Sequence, residues 1–110
     1  MYKMPDGIYN GNAAYVYDLP ICDRKSWYGK AKVIETEHEI ALRSYDTVVC
    51  RWTKDDSTFL KLWDGYSATT MRHVNCFMYY IGLPSCGGKK WWETLEYKKL
   101  YTVSELINLV

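Results

Sequence analysis

His73 and Cys76 stand three residues apart, a spacing that makes two side chains neighbours on a helix. A cysteine beside an imidazole is the smallest kit for a thiol nucleophile. Nothing else in the chain completes that chemistry: no oxyanion or cleft motif accompanies the pair, so a structural neighbourhood explains it better. The four cysteines, Cys22, Cys50, Cys76 and Cys86, invite a test for zinc. Structural zinc sites draw on close ligand pairs such as Cys-x-x-Cys, and no such pair occurs. The cysteines therefore read as small hydrophobes carrying thiols. His38, between Glu37 and Glu39, reads as an exposed turn residue, and Asp55-Asp56 as a solvated turn. Gly87-Gly88 is an isolated pair rather than a phosphate-cradling loop. The expectation is a non-enzymatic protein with no catalytic residue, no metal site and no cofactor.

Binding chemistry is better represented. Five Trp, eleven Tyr and two Phe occupy 110 positions, more rings than so small an interior hides. The surplus either keeps polar tips in water over buried bodies or forms a contact surface, since Tyr and Trp are enriched at binding hot spots. Basic and aromatic residues interleave at Arg24-Lys25-Ser26-Trp27-Tyr28, Arg51-Trp52-Thr53-Lys54 and Lys89-Lys90-Trp91-Trp92. Bases stack on rings while Lys and Arg follow phosphates, so single-stranded nucleic acid is one candidate ligand. Against it stands a net charge of only +1, where nucleic-acid-binding domains are usually basic. A Trp anchor in a charged rim serves protein recognition equally well. Tyr66, Ser67, Thr69 and Thr70 surround the free amides of a helix start, which can hold phosphate or carboxylate; simple capping explains these hydroxyls better.

The elements that must position these residues are legible in part. A chain of 110 residues has the size of one domain, read as a core over 8–97 and a C-terminal extension over 98–110. No apolar run approaches the ~20 residues that span a bilayer. Residues 1–7 lack the pattern of a secretory leader, so a cytoplasmic protein is expected. Short strands are expected over Ala13–Tyr17, Lys30–Thr36, Ile40–Ser44, Thr47–Thr53 and Thr58–Trp63, joined by polar turns. Met71, Val74, Met78 and Ile81 then recur at helical spacing, after Ser67 as N-cap and before Gly82 and Pro84 as stop signals. A second helix fits Lys89 to Tyr97, and Thr102-Val103-Ser104-Glu105 is a capping box for a short closing helix. The fold class is α+β: a four- to five-stranded antiparallel sheet packed by one main helix, with one or two short C-terminal helices. The expected core sets Val33, Ile40, Leu42, Val48, Leu60 and Leu62 against the stripe of the main helix.

Several stretches, in order, resemble a family of short uncharacterised proteins from phages, prophages and other mobile elements of low-GC Gram-positive bacteria. They are Tyr9-Asn10-Gly11, the run from Arg24 to Ala31, that from Leu42 to Thr47, that from Leu62 to Asn75, and Lys90-Trp91-Trp92-Glu93. The most specific part is Tyr66-Ser67-Ala68-Thr69-Thr70-Met71-Arg72-His73. The resemblance carries no established activity, but its context implies a binding protein that blocks a host defence protein, as anti-CRISPR proteins block a CRISPR effector complex. Trp27, Tyr28, Trp63, Tyr66, Ser67, Thr70, Arg72, His73, Lys90 and Trp91 are the binding residues expected. The rival ligands are single-stranded nucleic acid and a nucleotide signal held near Ser67, Thr70 and Arg72. A homodimer stays open.

Overall fold

The structure, a computed structural model, describes residues 4–20, 30–83 and 88–108. Among these residues seven strands run in chain order: β1 (Gly7–Tyr9), β2 (Asn12–Asp18), β3 (Ala31–Glu35), β4 (Glu39–Ser44), β5 (Thr47–Thr53), β6 (Thr58–Lys61) and β7 (Leu100–Tyr101). Between β6 and β7 lie the helices α1 (Ala68–Tyr80) and α2 (Lys89–Thr94), and α3 (Val103–Asn108) closes the described chain. Every strand pairs antiparallel with its neighbour in sequence, so the sheet is a single meander. Short turns account for this pairing at β1–β2, β3–β4, β4–β5 and β5–β6, while β7 returns to β6 from beyond the two helices. The five expected strands correspond to β2–β6. The two additional ones are three and two residues long, too short for a period-two pattern to declare them.

Alternation along the strands gives the sheet two unlike faces. One row across it reads Tyr17, Val33, Leu42, Cys50, Lys61, and the next Tyr15, Glu35, Ile40, Trp52, Phe59, Tyr101. Most of these residues belong to the main core, where they meet Met71, Val74, Phe77 and Met78 of α1, Trp91 and Trp92 of α2, and Leu106 of α3. Each large side chain buried there stabilises by ~1.5–3 kcal/mol. The opposite row reads Val16, Ile34, Ala41, Arg51, Leu60, Leu100. Ala14, Ile34 and Ala41 form a smaller cluster there with Tyr9, Val16 and Val48. Asn10 in the β1–β2 turn donates to Glu39 Oε1 at 2.9 Å, and Arg51 pairs with Glu39 at 2.8 Å.

Three expected core members lie elsewhere. A register shift between Leu42 and Arg43 sets Val48 opposite Arg43 and turns both Val49 and Cys50 into the main core. Leu60 is buried, but on the opposite face, because Phe59 and Lys61 take the helix side of β6. Leu62 lies beyond the end of β6 and is half-buried.

The main helix starts and stops as its signals direct. Ser67 Oγ accepts from the Thr70 amide at 3.0 Å. Gly82, at φ +82°, lets its own amide reach Tyr79 O and that of Leu83 reach Met78 O, which satisfies carbonyls at the helix end. The capping box also forms: Thr102 Oγ1 accepts from the Glu105 amide, and Glu105 Oε1 accepts from that of Thr102. The 98–110 stretch set apart as an extension contributes β7, Tyr101 and Leu106 to the main core.

Candidate functional site

Lys61 ends β6 on the helix-facing side, where alternation demands a core residue. It is 2% exposed. Its Nζ donates to Trp92 O at 2.8 Å and Leu95 O at 3.1 Å, and lies 4.9 Å from the centre of a Trp92 ring. The last carbonyls of a helix have no partner within it and carry partial negative charge. The ammonium gives a donor to Leu95 O and a second one to Trp92 O, which also accepts from the Leu95 amide at 3.2 Å, and the carbonyls replace the water that Lys61 gives up. Asp64 stands 3.6 Å from the same nitrogen with its side chain 76% exposed.

The segment from β6 to α1 is held from two sides. Trp92 Nε1 donates to Gly65 O at 2.8 Å. A Cβ on Gly65 would come within 2.6 Å of the Trp63 ring, so any side chain there must push that ring aside. This locked corner forms one wall of an open groove of about 460 Å³ lined by Lys61, Asp64, Gly65, Tyr66, Lys89, Trp92 and Glu93. Tyr66 is 41% exposed, with Lys89 Nζ 5.5 Å from its ring centre. The groove mixes both charge signs with aromatic surface, a composition suited to polar recognition rather than to an apolar metabolite.

Behind the groove, the start of α1 is tied to the end of β4. Ser44 Oγ lies 3.0 Å from Thr70 Oγ1 and 2.8 Å from His73 Nδ1, and all three residues are buried. Burial holds the His73 imidazole below its ordinary pKa, and the nearby Lys30 ammonium adds to the effect. The Tyr45 ring sits 5.9 Å from it. At the other end of α1, Tyr17 donates to Glu35 at 2.7 Å and lies 3.0 Å from the Tyr80 hydroxyl, while Lys54 donates to Glu35 at 2.7 Å. Burial alone would raise the Glu35 carboxyl, but the hydrogen bonds from Lys54 and Tyr17 outweigh it and hold the group below its usual range.

The expected binding residues divide by position. Tyr66 lines the groove. Trp63 is half-buried beside it, packed on the main core and facing the space a Gly65 side chain would need. Arg72 and Lys90 are exposed on α1 and α2. Ser67, Thr70 and His73 spend their polar atoms inside the protein, as cap and buried network. Trp91, expected as a surface contact, is 4% exposed in the main core, because the short α2 turns both Trp91 and Trp92 inward. Trp27 and Tyr28 lie outside the described residues.

Two of the three basic–aromatic runs are divided by the fold. Trp52 packs against the main core while its neighbour Arg51 lies in the opposite row. Lys90 is exposed while Trp91 is buried. The third run lies wholly outside the described residues. The expectation of free thiols needs correction at one position: Cys76 is disulfide-bonded, with its partner outside the described residues. Cys50 is a buried free thiol, and burial pushes its pKa up. Among the described residues no three His, Cys, Asp or Glu side chains gather where they could hold a metal ion, and no helix is long and apolar enough to cross a membrane.

Lys61, Asp64, Gly65, Lys89, Trp92 and Glu93 were not among the expected binding residues. For four of them the signal lay in the quoted stretches, since Asp64 and Gly65 stand in one and Trp92 and Glu93 in another; Lys89 opens a basic–aromatic run, and nothing in the sequence marked Lys61. The fold brings those two stretches together. No curated protein and no solved structure matches the chain. A family model does match, over residues 18–94, which takes in every residue of the groove, and the chain belongs to that family, described as a family of unknown function (DUF8033).

Proposed function

We propose that this chain is a non-catalytic binding protein that engages a partner protein through the corner where the β6–α1 segment meets α2. The observation that carries the reading is the groove itself. It is an open cleft of about 460 Å³ whose wall is fixed by the Trp92–Gly65 hydrogen bond and the Trp63–Gly65 packing, with Tyr66 and Lys89 at its surface. A wall fixed before binding spares a partner the entropy of ordering it, and Tyr is enriched at hot spots. Single-stranded nucleic acid is the weaker reading, because two basic–aromatic runs do not present ring and cation on one surface.

The partner we propose is a host defence protein such as a CRISPR effector complex, with the chain itself encoded by a phage or other mobile element. This follows the resemblance of the quoted stretches. Its expected place of action is the host cytoplasm. A disulfide such as that of Cys76 is uncommon there, and blocking thiols at lysis before mass mapping reads whether the bond forms in the cell.

Capture with the tagged full chain from a CRISPR-bearing bacterial host tests the reading. Recovery of an effector subunit, lost in Tyr66→Ala and Lys89→Ala, is expected. Recovery of no protein, together with oligonucleotide binding that weakens steeply as salt rises, replaces it with the nucleic-acid reading. Saturable calorimetric binding of a cyclic nucleotide replaces it with sequestration of a signal.

A further inference from the structure

Resting on that reading, we infer that the groove recognises the primary amide of an Asn or Gln side chain of the partner protein, whose carbonyl accepts from Lys61 Nζ and whose syn N–H donates to Asp64. An ammonium carries three N–H donors. Two of Lys61's are used by Trp92 O and Leu95 O, and the third has no acceptor within hydrogen-bond range among the described residues. Asp64 at 3.6 Å stands just beyond that range. A charged donor this deeply buried and short of one acceptor is costly to leave so, and Lys61 lines the groove from which an acceptor can arrive.

The other charged groups define what the acceptor belongs to. Asp64 is largely exposed and keeps free lone pairs, while Glu93, also on the groove, has no ion pair among the described residues. Lys89 already lies over the Tyr66 ring. Spare capacity is therefore one donor and a carboxylate beside it, 3.6 Å apart. A phosphate or carboxylate would meet Asp64 and Glu93, and a bare ammonium would meet Lys61 and Lys89. The primary amide of an Asn or Gln side chain offers an acceptor and a donor side by side, whereas the C=O and N–H of a trans peptide bond point opposite ways. Tyr66 adds a ring against which its plane can rest, and the groove has room for a side-chain carboxamide with its stem.

The test titrates N-acetylglycinamide into the isotope-labelled full chain and follows the Trp92 indole N–H, which marks the groove wall. A saturable shift is expected. Asp64→Ala, an exposed change that leaves the fold intact, weakens it about tenfold, the worth of one charge-assisted hydrogen bond. Acetate and glucose serve as comparison probes. A silent Trp92 signal, equal binding by Asp64→Ala, or saturation by acetate or glucose in place of the amide overturns the inference. Its failure is separable from that of the binding-protein reading: a captured partner with a silent groove sinks the amide site alone. Amide binding with no partner ever captured sinks the partner alone.

Discussion

Replacing Lys61 by methionine separates a side chain that holds the corner together from one that merely lies near it. The substitution keeps an unbranched apolar stem and removes only the ammonium. Two buried hydrogen bonds are lost, to Trp92 O and Leu95 O. Bonds to a charged group contribute about 1.5–3 kcal/mol each, so their loss costs about 3–6 kcal/mol. Relief of the ammonium's own desolvation offsets part of that loss, and a net destabilisation of about 2–4 kcal/mol follows. For a chain of this size that lowers Tm by on the order of 10–25 °C. Asp64→Ala provides the internal contrast: its carboxylate is 76% exposed and outside hydrogen-bond range, so the change stays within about 0.5 kcal/mol. Urea unfolding followed by tryptophan fluorescence reads both variants, and an unchanged slope shows that the unfolding reaction is the same. A Lys61→Met protein as stable as the parent would refute the reasoning, because the helix-end carbonyls would then need no cation.

Three further outcomes follow from the same geometry. Gly65→Ala forces the Trp63 ring away from a Cβ at 2.6 Å; it should cost about 1–3 kcal/mol and change the Trp92 indole N–H signal, whereas an unaltered spectrum would mean that the wall is soft. Burial and Lys30 hold the His73 pKa below its ordinary 6.5, so the unfolded chain binds a proton that the folded one refuses. Stability should therefore fall as pH drops below about 6.5 and on through the folded-state pKa; urea midpoints from pH 7.5 to 5 check it, and His73→Gln should flatten the slope. Trp91→Ala should lose about 3–5 kcal/mol as a core deletion, while Tyr66→Ala stays within about 1 kcal/mol and loses partner capture, a contrast that reverses if Trp91 is the true contact.

The sequence carried the sheet's central strands and the main helix well because their signals are local. Alternation in Thr47–Thr53, the Ser67 cap and the Gly82 stop each act within a few residues, and each formed. What went astray depends on distant partners. Leu60 and Leu62 look like the core side of β6 when set against Phe59, Lys61 and Trp63, since one side is purely aliphatic and the other carries a lysine. The lysine side is nevertheless the one that faces the helices, because Trp92 O and Leu95 O arrive from 31 and 34 residues away to receive the ammonium. Val48 was misplaced by the shift at Leu42/Arg43, for which a single strand's pattern holds no mark.

The abundance of rings divides along the same line. Phe59, Phe77, Trp91, Trp92 and Tyr101 are buried, whereas the exposed rings among the described residues, Tyr45, Tyr66, Tyr79 and Tyr97, are all tyrosines. A hydroxyl in water over a partly covered ring accounts for such residues without any partner, so ring number alone does not point to a binding surface. Position does. Of these four, Tyr66 alone lines the groove, beside a lysine over its ring and a glycine against which the Trp63 ring packs too closely for a Cβ without moving. The Ser44–Thr70–His73 network pins the start of α1 immediately after it. The Tyr66–His73 motif therefore has two physical duties in one stretch: Thr70 and His73 fasten the helix to the sheet, and Tyr66 stands at the edge that the fastening holds still. A substitution at His73 that leaves the chain folded should consequently weaken partner capture without touching the groove.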